Sequence, residues 1–301
     1  MTLSGQRDAF IGSGTNYDAA SIVLYGAPYD GTTSGRPGTR FAPAAIRAES
    51  QGIETYSPYQ DRDLEEGCDF FDSGDVDVCP GSSERTLSAI RERTAVILAD
   101  GKFPFLVGVE HLVTLGAVES VVKKYPDLHM IHFDAHADLR QEYLEVELSH
   151  ACVIRRCHDQ LGDGTPECRR IHQFGIRSGT REEFRFAASH TRLRKFDFNG
   201  LTESVVSLND RPVYFTLDLD VLDPGEFPGT GTPEAGGVTF VQLMTAIDVV
   251  FRANVVGCDV TELAPDLDGS RVSTALACKV VREMLLAIAR GRGPRVVAAA
   301  A

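Results

Sequence analysis

The sequence predicts an α/β fold: a mostly parallel sheet covered by helices on both faces. Short apolar, β-rich runs alternate with longer amphipathic ones along the whole chain, the order that crossover connections between parallel strands require. No linker, internal repeat or low-complexity stretch divides the 301 residues. One catalytic-size domain over 1–290 is therefore expected, with a flexible tail over 291–301.

The elements follow from local pattern. Runs at 21–26, 103–107, 128–133, 170–175, 212–217 and 255–258 read as strands, and 69–71 as a weaker one. Residues 83–100 place Leu87, Ile90 and Ile97 at helical spacing, and Gly101 can end that helix. Thr239 with Gln242 three residues on is a capping box that opens a helix over 240–252. A long C-terminal helix is expected over 271–290.

Composition narrows the function classes. The chain is 43% hydrophobic and 24% charged, as in a soluble domain with a full core. It has no apolar run long enough to span a bilayer and no secretory signal pattern in its first residues, so a cytoplasmic location is expected. Net charge is −13, with acids exceeding bases 43 to 30. Nucleic-acid binders carry a basic face, so no nucleic-acid partner is expected; small cationic ligands suit the balance better. The seven cysteines (68, 79, 152, 157, 168, 258 and 278) are odd in number and include no CxxC pair, so free thiols rather than a disulfide framework or a zinc–thiolate site are expected.

Four predicted strands run straight into acidic or histidine residues. The 103–107 run leads to Glu110 and His111, and the 128–133 run to Asp134, His136 and Asp138. The 212–217 run leads to Asp218 and Asp220, and the 255–258 run toward Asp259 and Glu262. In an open parallel sheet, ligands bind beyond the carboxyl ends of the strands, so all four clusters would meet on one rim. Asp134, Asp138, Asp218 and Asp220 would then crowd together, which costs several kcal/mol unless compensated. Two divalent cations would cancel the four charges, and His111 and His136 could complete their ligands. A carboxylate-rich set suits Mn²⁺ better than a thiolate-seeking ion. Water held by such a pair loses a proton near neutral pH. Asp266 and Asp268 read as turn residues, His129 and His132 as packed within a strand, and His158, His172 and His190 carry no signal.

The segments Asp134-Ala135-His136-Ala137-Asp138, Asp218-Leu219-Asp220-Val221-Leu222-Asp223-Pro224 and Pro228-Gly229-Thr230-Gly231-Thr232-Pro233 resemble the signatures of the arginase/agmatinase (ureohydrolase) family in residues, order and spacing. Arg36-Pro37-Gly38-Thr39-Arg40-Phe41-Ala42-Pro43 resembles a segment of its bacterial agmatinases. The resemblance covers about Tyr25 to Leu286. It implies an arginase-like three-layer α/β/α sandwich around an eight-stranded parallel sheet, with two Mn²⁺ per chain. By motif position, His111, Asp134, Asp138 and Asp218 would hold one ion, and Asp134, His136, Asp218 and Asp220 the other. His150 matches the proton-transfer histidine and Glu262 the glutamate that holds the guanidinium; these two, with Asp138, form the expected catalytic set. The implied reaction cleaves a guanidino compound to urea and an amine, with agmatine as the expected substrate. Another guanidino hydrolase, acting on guanidinobutyrate or arginine, and a metal-binding but inactive member remain as alternatives. A deacetylase of related fold is disfavoured by the 228–233 segment and Glu262. A trimeric or hexameric homo-oligomer is implied.

Two departures from the family pattern carry expectations of their own. Gly108-Val109 stands where two glycines are usual, and a β-branched residue resists positive φ, so the backbone presenting His111 would shift and weaken its metal. Ala151-Cys152 replaces a Gly/Ser–Thr pair, which would bring Cys152 toward the pocket. Between Arg140 and Ser149, Glu142, Glu145 and Glu147 would line the pocket mouth and favour a cationic distal amine over a carboxylate.

Overall fold

The computed structural model describes residues 9–292. Eight strands form one sheet: β1 (Ile22–Gly26), β4 (Phe70–Asp75), β5 (Phe103–Val107), β6 (His129–Phe133), β7 (Ile171–Ile176), β8 (Arg192–Lys195), β9 (Pro212–Asp218) and β10 (Asn254–Thr261). Their order is β4-β1-β5-β10-β9-β6-β7-β8, and every pairing is parallel. A separate two-stranded antiparallel pair joins β2 (Tyr56–Ser57) to β3 (Arg62–Asp63).

The strands that read as unbroken apolar runs are the ones buried on both faces. Every residue of β1, β5, β6 and β7 is buried, as parallel sheets covered on both sides require. Side chains alternate between the two cores: Ile22 and Leu24 enter one, Val23 and Tyr25 the other. The first core is closed by α1 (Ala42–Ser50), α6 (Leu201–Leu208), α7 (Phe240–Val250) and α8 (Val272–Arg292). The second is closed by α2 (Ser83–Ala99), α3 (Val113–Lys124), α4 (Val153–Leu161) and α5 (Arg181–His190). The layers are α/β/α, as expected.

The predicted boundaries shift by a few residues; the short β2–β3 pair and one strand of the main sheet escaped prediction. β8 is Arg-Leu-Arg-Lys, half-exposed at the sheet edge; its charges suit an edge strand and hide it from a hydrophobic reading. α7 opens with the predicted Thr239–Gln242 capping box. α8 runs on through Arg292; the tail expected from 291 thus begins inside a helix, and residues 293–301 lie outside the described residues. All seven cysteines are free.

One buried ion pair ties helix layer to sheet edge. Arg47 of α1 bonds Asp72 of β4 through Nε at 2.8 Å and reaches Asp75 at 2.6 Å. Arg47 and Asp72 are both almost wholly buried. Removing one member strands a buried charge, so Arg47→Ala is expected to cost about 3–5 kcal/mol in a urea melt. A loss below about 1 kcal/mol would show that the pair contributes little here.

Candidate active site

The four centre strands β5, β10, β9 and β6 are neighbours in the sheet, so their carboxyl ends stand side by side. Each delivers part of the predicted set: His111 just beyond β5, Glu262 beyond β10, Asp218 and Asp220 at the end of β9, and Asp134, His136 and Asp138 beyond β6. Asp138 (φ 52°) and Glu262 (φ 64°) sit in the left-handed region, a conformation costly for non-glycine residues and frequent at functional sites.

The ring of His111 defines the centre. Each of its nitrogens faces a different set of partners. Thr216 Oγ1 donates to Asp259 at 2.6 Å, so it accepts from His111 Nε2 at 2.8 Å. The proton of the neutral ring is therefore on Nε2, and Nδ1 carries a lone pair. That lone pair faces Asp134 Oδ2 at 3.1 Å, Asp218 Oδ2 at 3.2 Å and Asp138 Oδ2 at 3.4 Å, and Nδ1 has no hydrogen-bond partner. Four electron-rich atoms converge in a buried site, and a proton or a metal cation placed there relieves the repulsion. Burial opposes charge on His111, but the hydrogen bonds that a protonated Nδ1 would make to Asp134, Asp138 and Asp218 outweigh it and lift the imidazole well above its usual value.

A second convergence lies beside the first. His136 Nδ1 is 3.0 Å from Asp220 Oδ2 and 3.4 Å from Asp134 Oδ1. Asp134 thus turns one oxygen to each histidine, the disposition of a bridging ligand. Burial, then the charges of Asp220 and Asp134, push the Asp218 carboxyl far up. Burial and Asp134 push Asp138 up to about 7. Carboxylates this strained as anions fit a site built for cations, and the residues present fit two of them with carboxylate and imidazole donors.

His132, predicted as packed, is packed, and it also supports the site. Gln173 Nε2 donates to its Nδ1 at 3.1 Å, which leaves Nε2–H to bond Asp134 Oδ2 at 2.8 Å.

A cleft of about 270 Å³ opens over these groups, bordered by His136, Asp138, His150, Asp218, Asp220 and Glu262 and also by Arg140, Tyr143 and Glu183. Glu262 Oε1 accepts the His111 N–H at 2.7 Å. Burial, then Asp220 and Glu110, raise its carboxyl well above the usual range. His150 Nε2 meets Ser34 Oγ at 3.1 Å, and its backbone N–H donates to Thr32 Oγ1 at 3.0 Å. Burial holds its imidazole low, at about 4, so it is neutral at physiological pH.

Several supporting roles escaped the sequence reading. Asp259, inside a buried strand, accepts from both Tyr214 and Thr216; a charge within an otherwise apolar parallel strand was the available signal. Glu110 accepts from Thr32 N, Thr32 Oγ1 and Thr33 Oγ1 and so fixes the loop that touches His150. Arg177 donates to the carbonyls of Gly175, Asp220, Val221, Leu222 and Glu234, clamping the segment that carries Asp220. Nothing in its sequence neighbourhood marks Arg177 out.

Three expectations need correction. The positive φ falls on Gly108 (56°) and not on Val109; a side chain at Gly108 would strike Ala42. Val109 is buried in the second core, its carbonyl accepting Glu262 N–H at 2.8 Å, so valine displaces nothing. Cys152 is buried and does not border the cleft; burial pushes its thiol up to about 11. Glu142, Glu145 and Glu147 face solvent, and Glu147 pairs with Arg156 at 3.2 Å. Leu144 and Glu145 take positive φ, in a turn whose glutamates face outward, while Arg140 and Tyr143 border the cleft.

Comparison with known proteins agrees with this geometry. The family model for the arginase family matches residues 20–287. The chain belongs to the arginase family. It is 47% identical to the agmatinase of Bacillus anthracis over 92% of this chain and 95% of that one. The agmatine ureohydrolase of Thermoplasma volcanium superposes with a TM-score of 0.84 at 31% identity, covering 93% of this chain and 94% of its own. A human mitochondrial guanidino acid hydrolase is 34% identical over 91% of this chain and 80% of its length. Arginase-family proteins are binuclear metal hydrolases, and the two convergences above are this member's candidate metal positions.

Thr216→Val keeps the shape of β9 but removes the group that orients His111. Metal retained at the His111 position is expected to bind about 10–100-fold more weakly, with little change in the melting temperature of the metal-free chain. Metal titration followed by elemental analysis checks this; an unmoved affinity would mean that packing alone sets the ring.

Proposed function

We propose that this chain hydrolyses agmatine to urea and putrescine, using two Mn²⁺ ions. His111, Asp134, Asp138 and Asp218 would hold one, and Asp134, His136, Asp218 and Asp220 the other. The observation that carries the reading is the His111 lone pair aimed, with three carboxylate oxygens, at one point. Manganese is favoured by the predominance of carboxylate donors. When bound, such a pair of ions makes water nucleophilic at neutral pH and offsets negative charge that develops on the substrate.

The chain's own residues do the rest. Glu262 borders the cleft as a carboxylate that burial has made costly to ionise, so a guanidinium placed against it is strongly preferred to a neutral group. That contact would orient the flat guanidinium carbon toward the metal pair. His150, with its low basicity, sheds from Nε2 any proton it takes up, and can deliver it to the departing amine. Ser34, bonded to the same nitrogen, keeps the ring turned to the cleft. Asp138 positions from the opposite side, its carbonyl accepting the N–H groups of Ile154 and Arg155 and so anchoring the start of α4 beyond His150.

The preference for agmatine over a guanidino acid rests on Arg140. Among the described residues that border the cleft it is the one with a guanidinium. It is already engaged, with Glu183 at 3.6 Å and the Tyr143 ring at 4.6 Å, and Glu183 is buried. A substrate carboxylate would have to break that pairing, whereas a distal ammonium need not. The same Arg140, if it swung free, would favour a guanidino acid, which is the second reading. The similarity to named agmatinases supports the first. We take the protein to be a cytoplasmic trimer or hexamer acting as one catalytic unit per chain, a reading supported by the family resemblance; none of the described helices is long and apolar enough to cross a membrane.

Urea release with Mn²⁺ across agmatine, arginine and guanidinobutyrate is the deciding assay. A kcat/KM for agmatine at least about tenfold above the other two is expected, which needs only about 1.4 kcal/mol. If guanidinobutyrate wins, the substrate assignment fails while the chemistry stands. Glu262→Gln should lower kcat/KM by about 100-fold or more with both metals retained. A rate within twofold of wild type would make Glu262 a structural partner of His111 only.

A further inference from the structure

A second histidine cluster lies at the far end of the sheet from the cleft. His158 is in the last turn of α4, His190 ends α5, and Asp163 follows α4 by two residues. β7 and β8, the strands that follow these helices, begin nearby, so the cluster sits at the amino ends of the strands. His158 Nε2 and His190 Nδ1 each stand 2.7 Å from the same atom, Asp163 Oδ1. The three donor atoms lie within 4.8 Å of one another.

We propose that His158, Asp163 and His190 form a separate mononuclear site for a borderline transition-metal cation of the zinc type. Two imidazole nitrogens and one carboxylate oxygen are three protein ligands such an ion accepts, with solvent as the fourth.

Several features support a cation here over a mere hydrogen-bonded trio. Both imidazoles aim at one oxygen, although the carboxylate has two to offer. Phe186 holds the rings in place, stacked on His190 at 4.2 Å and edge-on to His158 at 5.0 Å. The carboxyl ends of α4 and α5 meet at the cluster, and their carbonyl dipoles favour positive charge. His158 Nδ1 is buried with no partner. When Nε2 binds a metal, the neutral ring carries its proton on Nδ1, and Asp159 Oδ1, 4.0 Å away, must close by about 1 Å to accept it.

The fit requires a small adjustment. Tetrahedral ligands about 2.0–2.1 Å from zinc lie about 3.3 Å apart, so the donors must separate by about 0.6 Å from their present spacing. Asp163 is half-exposed and sits between Gly162 and Gly164, both at positive φ, where the chain can adjust. A bound ion would clip the ends of α4 and α5 together without touching the cleft.

The test uses the full-length protein loaded with manganese, then exposed to a small excess of Zn²⁺ and desalted. Elemental analysis of both metals separates zinc held at the cluster from zinc that replaces manganese. Wild type should retain about one zinc per chain beyond any manganese lost. His190→Ala and Asp163→Ala, both at half-exposed positions, should each bind that zinc at least about tenfold more weakly while the manganese content and hydrolytic rate stay unchanged. X-ray absorption of the retained zinc should show imidazole scattering. Equal zinc retention in wild type and both variants, or no zinc in wild type beyond the manganese displaced, would overturn the proposal. Because the readout is metal content, it stands or falls independently of the substrate assignment.

Discussion

The interaction on which the rest depends is electrostatic: carboxylates gathered around a buried imidazole lone pair at the rim of the sheet. Asp134, Asp138 and Asp218 all point an oxygen at His111 Nδ1. Such a cluster repels itself, and the fold must hold it by other means until cations arrive. The means are rigid: the centre of a parallel sheet buried on both faces, a Thr216–Asp259 line behind His111, and His132 bonded to Asp134. Each of these side chains is thereby denied the motion by which it could escape its neighbours.

The clusters at the strand ends were legible because two regularities act together. Unbroken apolar runs mark buried parallel strands, and ligands gather beyond their carboxyl ends. Asp134, His136, Asp138, Asp218 and Asp220 follow their strands within a few residues, so their meeting required only the sheet to be parallel. The fold class followed from the same alternation. β8 did not, because at a sheet edge Arg192, Arg194 and Lys195 satisfy solvent and neighbours rather than a core.

What stayed hidden depended on three-dimensional facts that spacing does not carry. Val109 looked hazardous because glycine is usual there, yet the left-handed turn falls one residue earlier, at Gly108. The glutamates of the 140–149 loop looked like a pocket wall, yet in the backbone turn through Leu144 and Glu145 they face solvent. His158, Asp163 and His190 carried no signal singly, because α5 must fold back beside α4 before they meet. Asp259 and Thr216 were visible as polar residues in apolar strands, but their alignment behind His111 depends on the register between β9 and β10.

Arg177 has a consequence of a different kind. Its guanidinium grips carbonyl oxygens of residues 220, 221, 222 and 234 and reads none of their side chains. At those four carbonyls the course of the chain is held without reference to side-chain identity, whereas between them the Asp223 carboxylate fixes the loop by accepting from Gly225, Gly236 and Gly237. A replacement at Glu234, whose half-exposed side chain stands 3.8 Å from His136 Nε2, can change what a substrate meets there while the chain keeps its course. A scaffold with this property can diversify in what it accepts without re-solving how it folds.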